Sequence, residues 1–395
     1  MAKHLGVFTI LLALTAFAVT SAAIPPLATT ISAELKIAYE SFGYIYMTYF
    51  LSFALGGLAG GRLVTHFGFH KRFLVLTGLI GTGIIFLCLA ALRNFAGFIV
   101  LAVPFGILGG WVETFASIMI SEYDRPKSSR FINLSQAFYC IGAIAAPQIA
   151  AVLLSFGFSW RIAMLIFALG VLSVGILFKL HNRRGITGCA TDIPACTEIT
   201  LTSSTVMLTD PFFILLAFAL FMYVSIEFSA ACWIAPYFEK HLALSPASAA
   251  CRVALFWTGV IAARLVVFFL LERFTLWPVK IVAAASMIVI NFLLFMAATP
   301  LLATVLVILS GIAHGPLWPV TVAIAQNQRN CPKFTAAVVA AGALGAALGP
   351  LASSYVIKFL GNEKLFLTLA LGSILLFATI LATYYVDKRA CRCPA

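Results

Sequence analysis

Twelve long apolar runs, separated by short polar connections, dominate this chain of 395 residues. The runs lie near residues 5–31, 41–65, 73–92, 95–121, 131–156, 161–180, 211–238, 246–271, 279–298, 301–325, 334–359 and 365–387. Each is long enough to cross about 30 Å of hydrocarbon as a helix, which takes about 20 residues. Because backbone N–H and C=O groups cannot stay unpaired in lipid, we predict an all-α integral membrane protein with twelve transmembrane helices.

Composition and charge exclude a soluble protein and argue against a nucleic-acid-binding one. Hydrophobic residues make up 63% of the chain and charged residues 10%, whereas soluble domains carry about 25% charged residues. The net charge of +12 comes from basic residues concentrated in the connections on one side, to which we also assign Lys280 at the start of the ninth run. This asymmetry is typical of cytoplasmic loops, so both termini are predicted to be cytoplasmic and the protein to lie in the cell (inner) membrane.

The first apolar run also has features of a cleaved signal peptide, with Lys3 before it and small residues around Ser21. It continues to about Ile31, however, and the second half has a counterpart at 211–238. We therefore predict that this run is the first transmembrane helix.

The two halves of the chain repeat each other. A glycine followed five residues later by an arginine occurs twice, 202 residues apart, and a glycine followed five residues later by a proline occurs twice, 203 residues apart. The members of these pairs are Gly57 with Arg62, Gly259 with Arg264, Gly142 with Pro147, and Gly345 with Pro350. Duplicated helix bundles with a binding site between the repeats are typical of secondary transporters. We predict six-helix bundles at 1–180 and 211–387, a cytoplasmic linker at 181–210 and a cytoplasmic tail at 388–395.

Two acids and one histidine lie well inside predicted membrane spans. Glu113 is in the fourth run, Glu227 in the seventh, and His314 near the centre of the tenth. A charge in hydrocarbon is costly, so ionisable groups there usually mark an ion or substrate pathway. Since desolvation disfavours the charged form of a carboxyl and histidine titrates near neutral pH, all three are predicted to be proton-coupling residues. The alternative is a protonated side chain that serves packing alone.

The repeated glycines, prolines and arginines are predicted to have gating or structural roles. Gly57, Gly259, Pro147 and Pro350 would allow close packing and bending of helices, although ordinary kinks explain each of the prolines equally well. Near the ends of the second and eighth runs, Arg62 and Arg264 would grip helix-end carbonyls or an acid. Snorkelling to the membrane interface is the alternative for both arginines.

Several local patterns resemble the fucose–proton symporter family of the major facilitator superfamily. The patterns are Glu113-Thr114, Asn133-Leu134-Ser135-Gln136-Ala137-Phe138, Ser159-Trp160-Arg161, Glu227 followed by Trp233-Ile234, Ser245-Pro246, and Phe256-Trp257 with Arg264. The resemblance implies the major facilitator fold, alternating access, proton coupling at Glu113, and a position near the sugar for Asn133 and Gln136. Two features depart from the family: the first run has no acid, and Tyr139 stands where the family has asparagine.

Sugar sites combine aromatic faces with a few amide and hydroxyl groups. Side chains of these types inside the runs, predicted to bind substrate, are Trp111, Asn133, Gln136, Tyr139, Trp233, Trp257, Asn291 and Trp318. Packing or interface anchoring is the alternative for the aromatic members.

The sequence therefore predicts a monomeric, proton-coupled secondary active transporter of a small polar solute, with sugars as the first guess. The 35 phenylalanines and the missing acid in the first run leave open a proton-driven exporter of amphiphilic metabolites or drugs. A membrane sensor or assembly partner that does not transport is the alternative from another class. An enzyme is not predicted, since the chain has no HExxH, GxSxG or phosphate-binding glycine-rich motif. We expect neither a metal nor a cofactor, with the proton gradient as energy source.

Overall fold

The computed structural model describes residues 2–123, 128–182, 209–270, 275–329 and 332–390. Side chains are described at 6–122, 134–181, 209–267, 275–326 and 334–389. Most of the predicted linker at 181–210, and most of the predicted tail at 388–395, lie outside these ranges. The described residues form helices joined by short turns.

The first half of the chain contains seven described α-helices: α1 (Ala2–Ser21), α2 (Ala28–Leu35), α3 (Phe42–Thr65), α4 (Lys71–Ala91), α5 (Phe95–Tyr123), α6 (Ser128–Ser155) and α7 (Trp160–Asn182). The second half contains α8 (Pro211–Lys240), α9 (Pro246–Leu270), α10 (Leu276–Phe295), α11 (Pro300–His314), α12 (Leu317–Arg329), α13 (Pro332–Leu360) and α14 (Leu365–Ala390). Short 3-10 turns occupy Pro25–Leu27, Tyr39–Ser41 and Asn362–Lys364.

Within the described ranges, twelve helical segments are long and apolar enough to span a membrane, which confirms the predicted count and the all-α class. Two of them are interrupted: α1 and α2 together form the first span, and α11 and α12 the tenth. Prolines account for both interruptions, because proline lacks the N–H that continues a helix and its ring clashes with the preceding turn. Pro25 and Pro26 separate α1 from α2, and Pro316 separates α11 from α12.

The chain forms two compact units, residues 1–195 with 245–254, and residues 196–244 with 255–395. In the first unit α5 packs along α3 and α4, and α1 packs against α6 and α7. In the second unit α8 packs against α13 and α14, and α10 packs against α14 and α11.

Glycines lie where helices cross most closely, and Gly259 of the sequence repeat is among them. A Cβ atom placed on Gly110 of α5 would lie 2.4 Å from the Phe53 carbonyl oxygen of α3, and one on Gly311 of α11 would lie 2.1 Å from the Phe256 carbonyl oxygen of α9. A Cβ atom placed on Gly259 of α9 would lie 2.3 Å from a backbone carbonyl oxygen of α11. Only glycine allows such contacts between backbones, so both units use the same device to pack equivalent helices.

Prolines inside α6 and α13 do not end their helices. Pro147 lies within α6 and Pro350 within α13, and both helices continue past them. The Pro350 carbonyl accepts a hydrogen bond from the indole Nε1 of Trp233 on α8 at 3.0 Å. The proline-containing turn of α13 is thereby tied to a neighbouring helix.

A polar cluster fixes the short helix α2 within the first unit. Glu34 of α2 accepts hydrogen bonds from the Trp160 indole at 2.6 Å and from the Arg161 Nη2 at 2.8 Å. The Arg161 Nη1 also donates to the Ala90 carbonyl oxygen at the end of α4, at 2.6 Å. The Trp160-Arg161 pair therefore joins the ends of three helices.

Candidate functional site

The break between α11 and α12 leaves backbone groups without their usual partners. In a continuous helix the carbonyls four residues before Pro316 and Pro319 would each accept an N–H, which proline does not have. Regular bonding resumes when the Val320 N–H donates to the Pro316 carbonyl at 3.1 Å. The carbonyl of His314, the last residue of α11, accepts from a side chain, the hydroxyl of Tyr223 on α8, at 3.1 Å.

Tyr223 and Glu227 lie one turn apart on the same face of α8. The Tyr223 hydroxyl donates to Glu227 Oε1 at 2.6 Å. From α9, Arg264 places its Nη2 4.0 Å from the same carboxyl oxygen, a distance at the outer limit of an ion pair. Glu227 is 3% exposed. This buried acid is therefore held by a hydroxyl and approached by a cation from another helix.

His314 is completely buried next to this acid. Its Nδ1 lies 2.7 Å from the Ser310 carbonyl oxygen. Because a carbonyl can only accept, Nδ1 carries the hydrogen, and Nε2 of the neutral ring presents a lone pair. Among the described side chains Nε2 has no hydrogen-bond partner. The rings of Phe256 and Tyr223 lie 5.4 and 6.1 Å from the imidazole, so His314 has an unused acceptor inside an aromatic pocket.

Glu113 in the first unit has different neighbours. It lies on α5 one turn after Gly109, whose added Cβ would meet the ring of Phe17 from α1 at 3.0 Å. Phe17 stacks on Phe53 at 5.7 Å and contacts Tyr139 at 6.1 Å. Within the described side chains, we find no hydrogen bond or ion pair to the Glu113 carboxyl, although it interacts electrostatically with the Tyr49 hydroxyl. Glu113 therefore lies on a helix face that meets aromatic rings.

Four of the residues predicted to bind substrate lie on α5 and α6, which pack against each other. Gln136 and Tyr139 are three residues apart on α6, and both are partly buried. Trp111 is also partly buried, and its indole Nε1 has no hydrogen-bond partner among the described residues. Asn133 lies on α6, but its side chain falls outside the described part of the chain.

Two residues predicted to bind substrate use their polar groups for packing between helices. The Trp233 indole donates to the Pro350 carbonyl, and the Asn291 amide of α10 donates to the Ser373 hydroxyl of α14 at 3.1 Å. Both side chains are fully buried. These contacts explain Trp233 and Asn291 as ties between helices, and we leave them out of the proposed substrate site.

Trp257 and Trp318 line the second unit in different ways. Trp257 is buried and packs edge-on against Phe256 at 5.6 Å. Trp318, just after the helix break, is partly buried, and its ring would lie 3.2 Å from a Cβ placed on Gly342 of α13. Trp257 lies on α9, the helix that carries Arg264, and Trp318 lies on α12, which follows His314. Both tryptophans therefore belong to helices around Glu227.

The two repeated arginines occupy different environments. Arg264 is half-buried and reaches Glu227, as the prediction of a grip on an acid requires. Arg62 lies exposed near the end of α3. The sequence repeat therefore preserves the position of these residues along the helix but not their contacts.

Two residues of interest were not predicted from the sequence. Tyr223 precedes Glu227 by four residues, and that helical spacing was the signal that could have identified it. Lys280, which the charge pattern assigned to the cytoplasmic side at the start of the ninth run, is 1% exposed in α10, with its Nζ 5.6 Å from the centre of the Trp277 ring. The sequence did not predict this burial, which follows because α10 begins at Leu276 and includes Lys280 in its second turn.

Within the described ranges, no group of three or more His, Cys, Asp or Glu residues is arranged to hold a metal ion. The chemistry available to the described acids and His314 is the exchange of protons and hydrogen bonds.

Comparison with known protein families identifies the class of protein. A sequence model of the Major Facilitator Superfamily matches residues 8–330. The chain belongs to this superfamily. Its members are transporters, so the protein is a multi-pass membrane transporter of a small-molecule substrate and not an enzyme. The superfamily predicted from the sequence motifs is confirmed.

Solved structures of other transporters share the fold of this Major Facilitator Superfamily protein. A bacterial homolog of the human lysosomal transporter Spinster, inward-facing and occupied, has a TM-score of 0.79 and 14% identity, with 96% of each chain covered. The nucleoside transporter NupG has a TM-score of 0.76 and 14% identity, covering 96% of this chain and 100% of its own. A D-xylose-proton symporter has a TM-score of 0.76 and 16% identity, with 96% of each chain covered. A search of curated proteins finds no match.

In this Major Facilitator Superfamily transporter, each unit has an acid well inside a described membrane span, Glu113 in the first unit and Glu227 in the second. Glu113 lies on a helix face that meets aromatic rings, and Glu227 is bonded to a phenol and approached by a guanidinium. A proton added to either carboxyl would remove a charge from a region where charge is costly.

Proposed function

We propose that this superfamily member is a proton-coupled secondary active transporter of a small polar solute, sugar-like first, that works by alternating access. The observation that carries the proposal is Glu113, an acid inside a span, for which no hydrogen bond or ion pair is found among the described side chains. An ionised carboxyl there depends on water for its stability, whereas a protonated one does not. Its proton is therefore expected to exchange when the surroundings hydrate.

The solute class is inferred from residues of α1, α3 and α6, the helices that pack against the Glu113 helix α5. Phe17, Phe53 and Tyr139 offer aromatic faces, and Gln136 offers an amide that can donate and accept. Such a combination suits a compact ring compound with both apolar and hydroxyl-bearing faces. The structural relatives whose names mention D-xylose and nucleosides support the same class of solute.

A second candidate is a proton-driven exporter of amphiphilic metabolites or drugs. The stacked Phe17 and Phe53 rings beside Glu113 favour it, because they would suit a flat apolar solute as well as a sugar. Up to Ile31 the first span also has no acid that could pair with a polar solute, and Glu34 near its end is already bonded to Trp160 and Arg161.

In either case Glu227 is proposed as a second coupling group. Protonation of its carboxyl would weaken the approach of Arg264 across 4.0 Å and change the bonds of Tyr223. We propose His314 as a participant through its free Nε2 acceptor. A monomer in the inner membrane, with both termini cytoplasmic, completes the proposal.

Flux measurements with purified protein in proteoliposomes test the function. Labelled pentoses, hexoses and nucleosides are each supplied under an imposed pH gradient, while a pH dye inside the vesicles reports proton movement. We expect one of these solutes to accumulate uphill and to carry protons with it. Gradient-driven efflux of amphiphilic dyes without flux of any of these solutes would favour the exporter, and solute flux without proton movement would contradict the proposal.

A further inference from the structure

The Tyr223 hydroxyl lies between two acceptors that belong to different helices. It is 2.6 Å from Glu227 Oε1 on its own helix α8, and 3.1 Å from the carbonyl oxygen of His314 at the end of α11. A phenol has one hydrogen, so it can serve one of these acceptors fully at any moment. Which acceptor receives this hydrogen depends on whether the Glu227 carboxyl can itself donate a hydrogen.

The charge of Glu227 decides the direction of these bonds. An ionised carboxylate can only accept, and bonds to ionised acceptors are stronger than neutral ones, so it takes the phenol hydrogen away from the His314 carbonyl. A protonated Glu227 has an O–H of its own, which can donate to the phenol oxygen. The phenol hydrogen is then available to the His314 carbonyl. One proton is gained by the carboxyl, and no bond to carbon changes.

We propose that Tyr223 is a positioning residue that converts the charge state of Glu227 into a hydrogen bond at the break between α11 and α12. The proposal rests on the proposed function in assuming that Glu227 takes up and releases a proton during transport. It adds a route by which that proton acts on the backbone of another helix.

A single hydrogen bond can have a large effect on the stability of the break between α11 and α12. Pro316 and Pro319 remove two N–H donors from the helix ladder there, so the segment has fewer backbone bonds than a regular turn. It is also packed tightly on α9, since a Cβ on Gly315 would lie 2.7 Å from the Val260 carbonyl oxygen. The same helix α9 carries Arg264, whose cation faces Glu227. A change of packing at the break would therefore also act on the helix of Arg264.

The other ionisable groups packed around α8 are few. Arg264 of α9 and Tyr223 are the described side chains that interact with the Glu227 carboxyl. Arg264 also donates to the Tyr223 phenol oxygen, which leaves the phenol hydrogen for one of its two acceptors, and His314 faces the same phenol from α11. On α13, Tyr355 and Lys358 are exposed, and residues 317–326 of α12 contain no ionisable side chain. The charged residues of α14 begin at Asp387, fifteen residues beyond Gly372, which contacts Ile226.

Hydrogen exchange of the purified full-length transporter, measured by mass spectrometry across a pH series, tests the proposal without knowledge of the solute. Rates for residues 310–322 are divided by the intrinsic rate at each pH. In the wild type we expect exchange to be slower at low pH, where Glu227 is protonated and the bond to the His314 carbonyl forms. The expected change is about fivefold, as one net hydrogen bond would give.

Two variants and a matched control make the result specific. Tyr223→Phe should exchange fast at every pH, and Glu227→Gln, whose amide can donate to the phenol oxygen, should exchange slowly at every pH. Tyr237→Phe is the control, since Tyr237 is a buried tyrosine on the same helix whose hydroxyl donates to the Leu294 carbonyl at 2.8 Å, and it should keep the wild-type pH dependence.

The outcomes separate this proposal from the proposed function. A pH dependence retained in Tyr223→Phe, or absent in the wild type, would overturn the positioning role even if transport is proton-coupled. Should Tyr223→Phe fail to fold in a thermal unfolding check, a pH-dependent rate in Glu227→Gln would overturn it instead. If the flux measurements find no proton movement while the exchange pattern is as expected, the proposed function fails and the role of Tyr223 stands.

Discussion

Glu113 and Glu227 show how two acids in equivalent membrane-spanning bundles can be stabilised in different ways. Glu227 is buried, bonded to the Tyr223 hydroxyl at 2.6 Å and approached by Arg264. Glu113 is partly buried beside aromatic rings and, within the described side chains, has no hydrogen bond or ion pair. Glu227 has protein partners for its charge, so the ionised carboxylate is stabilised whether or not water is present. Glu113 depends on water, so its charge should follow the opening and closing of its surroundings.

The difference is chemical, because the backbone framework of the two units is closely alike. In each unit a pair of helices crosses through glycines that leave no room for a Cβ, at Gly110 in the first unit and Gly311 in the second. What the repeat does not preserve is the set of polar partners. Arg264 faces an acid, whereas the equivalent Arg62 is exposed.

The largest effects are expected at the glycine crossings. Gly311→Ala and Gly110→Ala each force a Cβ against a backbone oxygen, and overpacking of this kind costs about 3 kcal/mol of unfolding free energy. Thermal unfolding in detergent should show both variants strongly destabilised. Gly61→Ala is the control, because nothing lies within 4 Å of its added Cβ, and it should be neutral or slightly stabilising. A large effect in one unit alone would break the equivalence of the two crossings.

The repeated arginines should differ in stability and in pH dependence. Arg264→Ala leaves the Glu227 carboxylate with one fewer partner, and removing one member of a buried pair costs about 3 kcal/mol when the remaining charge persists. The loss should be largest at high pH, where Glu227 is ionised, and should shrink at low pH as the carboxyl becomes neutral. For the exposed Arg62, Arg62→Ala should change the free energy of unfolding by about 0.5 kcal/mol or less at any pH. Melting temperatures measured across a pH series would reveal equal curves if the two arginines were equivalent after all.

A smaller contrast is expected between two tryptophans. Trp233→Phe removes a hydrogen bond to the Pro350 carbonyl and should lower stability by about 1 kcal/mol, without changing apparent solute affinity. Trp111→Phe removes an indole N–H that has no partner among the described residues, so it should not lower stability. If Trp111 donates to the solute, as the sequence predicts, its variant should instead weaken the apparent affinity in uptake assays. The reverse pattern would exchange the roles assigned to these two residues.

The membrane architecture could be predicted from the sequence because hydropathy acts over long segments. All twelve spans lie within a few residues of the predicted runs, and the motifs of the fourth and fifth runs indicated the correct superfamily. The cost of placing charge in lipid was enough to select Glu113, Glu227 and His314 as residues of interest. Those inferences needed no knowledge of tertiary contacts.

Contacts between helices were the part that the sequence could not specify. Pro316 breaks its helix while Pro147 and Pro350 do not, although all three prolines lie within apolar runs, so the residue type alone could not predict the difference. Lys280 was assigned to the cytoplasmic start of the ninth run, and only the packing of α10, which begins at Leu276, shows that its side chain is buried. Asn291 looked suited to a solute, yet its amide donates to Ser373 on an adjacent helix.

The central claim is that the Glu113 carboxyl carries the proton that drives uphill transport. Its most direct test compares Glu113→Gln with Glu122→Gln, a control on the same helix whose carboxyl pairs with Lys71 and should leave coupling intact. In proteoliposomes, Glu113→Gln should lose gradient-driven accumulation and solute-induced proton movement while still exchanging solute across the membrane. Full uphill accumulation by Glu113→Gln would contradict the account.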